Sequence, residues 1–410
     1  MNIAAIVISA VVAIFGFAGG GGSSSGGGGG GGGSYSSSHS SSHSSSSSSG
    51  DSDPVAALIT FGVIIIILIL CAKSGKKLNF KDHNSTAQEK QIHQDAQKIF
   101  ENYQRDWTDF NYHSIKKYTT DHYYTHASLM LDLLKNLHRV NKVSKLKVKK
   151  VYLNTPVNEN TKFPVNISAT FSFSGLDEVY DTNDNKKLYS TYASSAIETW
   201  NFIYDGKTLK LAGISQPTES APHLVKSLAN FADQNNLFYS PDWGRYALPA
   251  RGLIFGGASM KIADINNHVI GKWGDLLIQL YTYAETPGRT VGSYYIVGQI
   301  NVPKEYLGVI VKSKKFKTGK KPSKSYEKFE LEWNDFNDRY YVYAASRDAL
   351  PAFELLNPKF MEYLYSKNPS YNLEVVDNVI YIYAPISTIA EKDYEDLLEV
   401  LKKAYDELKM

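Results

Sequence analysis

The chain has 410 residues, of which 43% are hydrophobic, so it is long enough to build more than one hydrophobic core. Its single cysteine, Cys71, excludes internal disulfides and any cysteine-based zinc cluster. The formal net charge of +3 is too small to indicate a class of partner, so function has to be sought in the order of the segments along the chain.

Residues 1–18 are apolar and end in the small residues Gly16 and Ala18 around Phe17. The length fits the hydrophobic part of a signal peptide, whereas the lack of a preceding Lys or Arg favours an uncleaved span. We therefore interpret this segment as a signal peptide or a first transmembrane helix. Residues 19–53, almost purely Gly and Ser as far as Gly50, have little apolar surface to bury and are predicted to be a disordered linker.

Residues 54–72 form an uncharged stretch that includes the aliphatic run from Val63 to Leu70. This stretch is long enough to cross the hydrocarbon core of a bilayer as a helix. Aspartates precede it, and the basic juxtamembrane segment 73–86 follows it with Lys73, Lys76, Lys77 and Lys81. Because excess lysine marks the cytoplasmic side of a span, we predict a cell-membrane protein, single- or double-pass, with its folded domains in the cytoplasm.

Residues 87–220 change from a helical to a strand pattern. Apolar residues from Ile92 to Trp107 recur at helical spacing, and Thr120 or Asp121 is placed to cap a further helix. The stretch Val165–Phe173 then alternates between apolar and polar residues, and Asp205-Gly206 is a hairpin signal. Helices followed by an antiparallel sheet predict an α+β domain.

Two tryptophan motifs in this region resemble those of the Tim-forty-four-like domain family. They are Tyr103-Gln104-Arg105-Asp106-Trp107-Thr108-Asp109-Phe110 with Tyr118-Thr119-Thr120-Asp121, and Glu198-Thr199-Trp200-Asn201-Phe202 with Ile214-Ser215-Gln216. The resemblance covers residues 87–218. It implies a nuclear-transport-factor-two-like cone, in which helices and a curved antiparallel sheet enclose an apolar pocket, and a role in binding lipid or protein rather than in catalysis. The mitochondrial import role of the family's namesake is not expected, because an Arg-rich amphipathic targeting segment is absent.

Inward aromatic side chains are the candidates for the wall of that pocket. By residue type alone such side chains more often form plain core, and both interpretations stay open at this point. The candidate pocket residues are Trp107, Phe171, Phe173, Trp200 and Phe202.

After a connector at residues 221–240, residues 241–410 predict a second α+β domain. Asn357-Pro358 marks the start of a helix, and the last helix carries an apolar stripe suited to docking on a sheet. A weaker resemblance, to an uncharacterised family of bacterial membrane-associated domains, is carried by Phe336–Tyr343 and Leu355–Glu362. This family has no assigned activity, so the resemblance implies none. Strand patterns occupy Leu276–Ala284, Tyr294–Ile300 and Leu373–Tyr383.

Catalytic and cofactor motifs are weak. The glycines from Gly252 to Gly257 lack phosphate-loop spacing, and the pair His122 and His126 lacks both the glutamate of a metalloprotease motif and a third ligand. We therefore expect no enzymatic activity, no cofactor and no metal. The alternative is a small-molecule enzyme that uses the cone pocket, although the inward positions of Val165–Phe173 hold no ionisable group.

Two lysine runs are the remaining candidates for a binding surface. They contain little arginine and few interleaved aromatic residues, so they lack the side chains that usually recognise nucleic-acid bases. Nucleic-acid binding is therefore an alternative rather than the expectation. Solvated faces are the common explanation of such runs, but beside a membrane span we expect contact with anionic headgroups. The expected partners are membrane lipid and other membrane-associated proteins. The candidate contacts are Lys142, Lys145, Lys147, Lys149, Lys150, Lys312, Lys314, Lys315, Lys317, Lys320 and Lys321.

Overall fold

The computed structural model describes residues 86–215, 225–242, 248–249, 251–255, 264–284, 294–316 and 322–408. The predicted segments 1–18, 19–53 and 54–72 lie outside these residues, as do nearly all of the juxtamembrane segment and Lys317, Lys320 and Lys321. Within the described ranges, no helix combines the length and the apolar character needed to cross a membrane. Residues 86–408 belong to one compact unit.

Three helices open the described chain, and their starts follow from capping side chains. Thr86 and Glu89 form a reciprocal capping box at the first helix, which the sequence analysis did not identify. At the third helix the Thr120 hydroxyl accepts the Tyr123 N–H, so Thr120 is the cap of the two predicted candidates, Thr120 and Asp121. The first and third helices bury one apolar stripe each against the sheet that follows. The helices are α1 (Ala87–Thr108), α2 (Tyr112–Tyr118) and α3 (Asp121–Asn136).

The first sheet is a four-stranded antiparallel meander. The predicted turn at Asp205-Gly206 is confirmed, because the Asp205 carboxylate accepts the backbone N–H groups of Lys207 and Thr208 and so joins the last two strands. Together with the helices that contact it, this sheet confirms an α+β fold. The strands, in spatial as in chain order, are β1 (Arg139–Leu153), β2 (Val165–Asp181), β3 (Lys187–Tyr204) and β4 (Leu209–Ser215).

The second sheet has seven strands built around the long strand β8. The first half of β8 pairs with β7 and β11, and in its second half β10 takes the place of β7. The remaining strands extend the sheet in the order β5-β6-β7-β8-β10-β9. The strands are β5 (Phe238–Asp242), β6 (Asp264–Trp273), β7 (Leu276–Ala284), β8 (Tyr294–Ser313), β9 (Tyr326–Phe329), β10 (Tyr340–Ala345) and β11 (Asn372–Pro385).

Helices cover one face of this second sheet. Asn357 caps α7 and Pro358 occupies its first turn, as predicted, and the final helix α8 docks on β8 and β11 through buried Tyr394, Leu397 and Leu401. The helices are α4 (Lys226–Gln234), α5 (Asn334–Arg339), α6 (Ala349–Leu355), α7 (Pro358–Ser366) and α8 (Glu391–Glu407), with a 3₁₀ turn at Ser346–Asp348 before α6.

The other face of the second sheet shares a core with the first sheet. Along β11, Ile380 and Ile382 belong to the helix-covered core, whereas Tyr381 and Tyr383 belong to the cluster that also contains Trp107 and Trp200. Polar contacts cross the same boundary: the Arg139 guanidinium donates to the Leu248 carbonyl, and the Asn378 amide donates to the Asn136 carbonyl at 2.8 Å. The helix α3 contacts β7, so the two sheets share one core that is joined through this helix rather than being separated by a free linker.

Candidate functional site

The five aromatic residues predicted from the sequence meet in the interior of the first sheet and its helices. Trp107 comes from α1, Phe171 and Phe173 from β2, and Trp200 and Phe202 from β3, and none is more than 1% exposed. The ring centres of Phe171 and Trp200 lie 5.6 Å apart, and those of Trp200 and Phe202 lie 6.4 Å apart. Such distances are those of packed aromatic pairs. The structure thus brings the five predicted residues together in one buried cluster.

Buried carboxylates accompany these rings, and the sequence analysis missed them. The Trp200 indole N–H donates to Glu198 at 2.9 Å, and Glu198 is only 1% exposed. The Trp107 indole N–H donates to Asn141 at 3.0 Å, and the Asn141 amide donates in turn to Asp177. Glu198 has the same strand parity as Trp200 and Phe202, so the alternation of β3 was the signal that places it inward.

The nearby Tyr103 side chain is fully buried, which shows that this interior is shielded from water. Its hydroxyl lies 3.3 Å from that of Tyr123, and burial raises the Tyr103 pKa far above its ordinary value, with a further contribution from the charge of Glu198. The Tyr103 hydroxyl and the Glu198 carboxylate thus each have a hydrogen-bond partner of their own, Tyr123 and Trp200 respectively. Trp200, Glu198 and Tyr103 therefore have structural partners, and a pocket among the aromatic residues stays a prediction.

Asp106, within the first tryptophan motif, has a structural position as well. It is 2% exposed, and its carboxylate accepts from the Ser114 hydroxyl at 2.6 Å and from the Tyr118 hydroxyl at 2.8 Å. The Asn111 amide donates to it at 3.3 Å. These contacts tie α1 to α2, so the motif holds the helical layer together.

The first lysine run occupies β1, which is an edge strand of the first sheet. The β1 register pairs Lys142 with Glu178 and Lys150 with Ser172, and it is shifted by irregularities on either side of Val148. The Lys142 ammonium lies 4.7 Å from the Tyr180 ring centre, within the range of a cation–π contact. All five lysines of the run are exposed: Lys142, Lys145, Lys147, Lys149 and Lys150.

The described part of the second lysine run lies on another sheet, at the end of β8. Lys314 and Lys315 are exposed, whereas Lys312 is half-buried. The Lys314 ammonium lies 4.8 Å from the ring centre of Tyr341, and Lys328 approaches the same ring at 5.4 Å. The described lysines of the two runs therefore belong to separate elements, and among the described residues only the run on β1 is exposed at every lysine.

A cavity of about 950 Å³ lies in the second sheet, and none of the five predicted aromatic residues lines it. Arg251 and Arg347 are in its wall, and each has an acidic neighbour: the Arg251 guanidinium donates to Asp377 at 2.8 Å, and the Arg347 guanidinium lies 4.0 Å from Asp348. Because these pairs nearly cancel the charge of the wall, the cavity shows no marked preference for an anion or a cation.

Glu374 forms the buried part of the cavity wall. Its carboxylate accepts the hydroxyls of Tyr381 at 2.7 Å and Tyr383 at 2.6 Å and the backbone N–H of Leu253 at 3.0 Å. Burial raises the pKa of Glu374, while the donated hydrogen bonds oppose that rise. Gly252 has a φ of +130°, and a Cβ there would lie 1.5 Å from the Tyr381 hydroxyl. Glu374 therefore holds the 251–255 segment against β11.

No protein-family model matches the chain, and no curated protein matches it. The solved structures that resemble it weakly include the following two. The mycobacterial trehalose monomycolate transport factor A, TtfA, aligns at 11% identity and a TM-score of 0.35, over 45% of this chain and 93% of that one. The intermembrane space region of the chloroplast protein ARC6 aligns at 9% identity and a TM-score of 0.24, over 30% and 95%. Similarity of this extent supports no conclusion about the function of this chain.

Proposed function

We propose that the chain is a membrane-tethered binding or assembly module without catalytic activity. In this proposal residues 87–220 form a Tim-forty-four-like domain with a nuclear-transport-factor-two-like cone, held at the cytoplasmic surface by the span at residues 54–72. Its partners are membrane lipid and membrane-associated proteins. The observation that carries the proposal is the row of exposed lysines along the edge strand β1.

In this proposal the tether keeps the lysines of β1 near the membrane, where they can contact anionic headgroups. Residues 73–85 reach at most about 45 Å when fully extended, so the tether keeps the start of α1 within that distance of the bilayer and lets the domain approach it. Each lysine near an anionic leaflet contributes about 1 kcal/mol, within a Debye length of about 8 Å at physiological salt. Several lysines on one strand are therefore enough to hold the domain against anionic headgroups.

Lysines on an edge strand have another explanation. Charged side chains there also prevent the free edge of the sheet from pairing with a strand of another molecule. The two explanations differ in what they predict for vesicles. A fragment that starts at Ser85 should float with phosphatidylglycerol vesicles at low salt and should lose this binding steeply as salt rises. A fragment whose lysines only protect the edge should stay unbound at every salt concentration.

Charge reversal distinguishes β1 from the rest of the surface. Lys142→Glu with Lys150→Glu should lower the vesicle affinity at least about tenfold, since each lysine accounts for about 1 kcal/mol. The matched control is Lys226→Glu with Lys392→Glu, which reverses two exposed lysines on α4 and α8. Equal losses in both variants would contradict a role for β1, and displacement of vesicles by an RNA oligonucleotide would favour the nucleic-acid alternative.

A further inference from the structure

The outer face of the first sheet combines exposed aliphatic side chains with lysines. Strand alternation turns Trp200 and Phe202 inward, so the other side of β3 faces outward. There Ile197 is 40% exposed and Ile203 is 37% exposed, and Tyr192, toward the other end of the strand, is 56% exposed. Singly exposed aliphatic side chains are common on protein surfaces, so this face is distinguished by the lysines that share it.

The strand register places a lysine in the same cross-strand row as each isoleucine, directly opposite Ile203 and two strands away from Ile197. One row across the sheet runs from Lys150 on β1 through Ser172 on β2 to Ile197 on β3. Another row runs from Asn166 on β2 through Ile203 on β3 to Lys210 on β4. The exposed isoleucines of β3 therefore share one surface with lysines of β1 and β4. The spacing of lysines along β1 alone does not reveal this arrangement.

Polar side chains between these rows are already paired with one another. The Thr170 and Thr199 hydroxyls lie 3.2 Å apart, and the Asn154 amide donates to Thr170 at 2.9 Å. In the same row Tyr152 lies at the β1 end, with the Lys150 ammonium 6.0 Å from its ring centre. Tyrosine, lysine and a few aliphatic residues are the composition of surfaces that sit at the level of lipid headgroups, where lysine stems lie along apolar surface.

We infer that the outer face of the first sheet is the membrane-contact face, with Ile197 and Ile203 inserted among anionic headgroups between Lys150 and Lys210. This inference rests on the proposed function and deepens it, because it names the face and adds an apolar contribution to the charge. The occupant is the anionic bilayer surface. Charge complementarity selects it, and the short tether of residues 73–85 keeps it within reach.

The test uses the full-length chain reconstituted in vesicles. Cys71 is the only cysteine, so Cys71→Ser allows one environment-sensitive fluorophore to be attached at Ile203→Cys. In vesicles that contain phosphatidylglycerol we expect a blue-shifted emission and several-fold stronger quenching by a nitroxide-labelled lipid than in phosphatidylcholine alone. Ile197→Cys repeats the measurement at a second site, in case the label disturbs the first.

The control label is placed at Leu350→Cys, on α6, where the side chain is 68% exposed. It should show the same emission in both lipid mixtures. Adding Lys150→Glu and Lys210→Glu should abolish the shift at position 203. Equal quenching at positions 203 and 350, or a shift insensitive to the two lysines, overturns the inference.

Failure of the inference is distinguishable from failure of the proposed function. If the fragment floats with anionic vesicles but both β3 labels stay silent, membrane binding stands and the outer face is not its site. If neither experiment detects anionic lipid, the proposed function fails as well. An emission shift caused by an RNA oligonucleotide and not by anionic vesicles would assign the face to nucleic acid and overturn the inference.

Discussion

Trp200 shows how one side chain joins the sequence motif to the packing of the first sheet. Its ring centre lies 4.9 Å from that of Phe100 and 5.5 Å from that of Tyr103, and its indole N–H donates to Glu198. The side chain is 0% exposed. A residue with so many ring contacts and a satisfied donor contributes through burial as well as hydrogen bonding.

Replacement of Trp200 should therefore be costly. We expect Trp200→Ala to destabilise the first sheet by about 3–5 kcal/mol, because it leaves a large cavity and removes the indole donor to the buried Glu198. Denaturant unfolding of the fragment that starts at Ser85 measures this loss. Ile203→Ala, an exposed position of the same strand, should cost only about 0.5 kcal/mol. A Trp200→Ala variant that keeps its stability but loses a ligand would make Trp200 a pocket residue instead.

Two buried histidines should make stability depend on pH. Burial lowers the pKa of His126 to about 3 and that of His268 to about 4, whereas both titrate near 6.5 in the unfolded chain. Below about pH 6.5 the unfolded state then binds more protons than the native state. The free energy of unfolding therefore decreases as the pH is lowered through this window. At pH 4.5 each histidine should cost about 2–3 kcal/mol relative to pH 7.

Urea unfolding between pH 7 and pH 4.5 measures this dependence. His126→Leu should flatten the pH profile, because the ring of His126 stacks on Phe238 at 5.2 Å and an apolar side chain suits that site. His113→Gln, at an exposed position, should leave the slope unchanged. A slope that survives His126→Leu and His268→Gln together would assign the pH dependence to other groups.

At the scale of elements, the docking of α8 on β8 depends on a close approach. Gly298 lies on β8 beneath Leu397 of α8, where an added Cβ would lie 2.8 Å from Leu397 Cγ. The glycine has an ordinary strand conformation, so its role is steric rather than conformational. The same helix closes the core with Tyr394, whose hydroxyl donates to the Asn267 carbonyl at 2.9 Å.

Gly298→Ala should push α8 away from the sheet and destabilise the protein by about 1–3 kcal/mol, as overpacking does. The matched control is Gly213→Ala on β4, where an added Cβ meets nothing within 4 Å. That change should be neutral or slightly stabilising, since alanine reduces the freedom of the unfolded chain. Thermal unfolding compares the two variants, and equal melting temperatures would show that the α8 contact tolerates displacement.

At the scale of the whole molecule, the charges on either side of the proposed span predict its orientation in the membrane. Lysines after Ala72 and aspartates before Pro54 predict that Met410 is cytoplasmic. A reporter fused after Met410 that fluoresces only in the cytoplasm should therefore light up. The same fusion to a chain with Lys73, Lys76, Lys77 and Lys81 changed to Glu should show mixed orientation. Digestion of the region after Lys73 by protease added outside intact cells would reverse the assignment.

Local signals in the sequence determined the elements of this protein. Caps at Thr120 and Asn357, the turn at Asp205-Gly206 and the alternation of Val165–Phe173 each act over a few residues, so each could be read without the fold. They predicted an α+β chain, several strands and helix starts, and the aromatic residues that the structure brings together.

Only the tertiary structure decided which side chains meet across elements. The core shared by the two sheets, the buried partners of Glu198 and Glu374, and the row that Lys150 shares with Ile197 depend on strand register and on layers far apart in sequence. A register shift of one residue would turn every side chain of β3 to the opposite face, and no local pattern encodes its partner strand. The sequence by itself therefore identified the lysines and the aromatics, and the fold decided which of them share a surface.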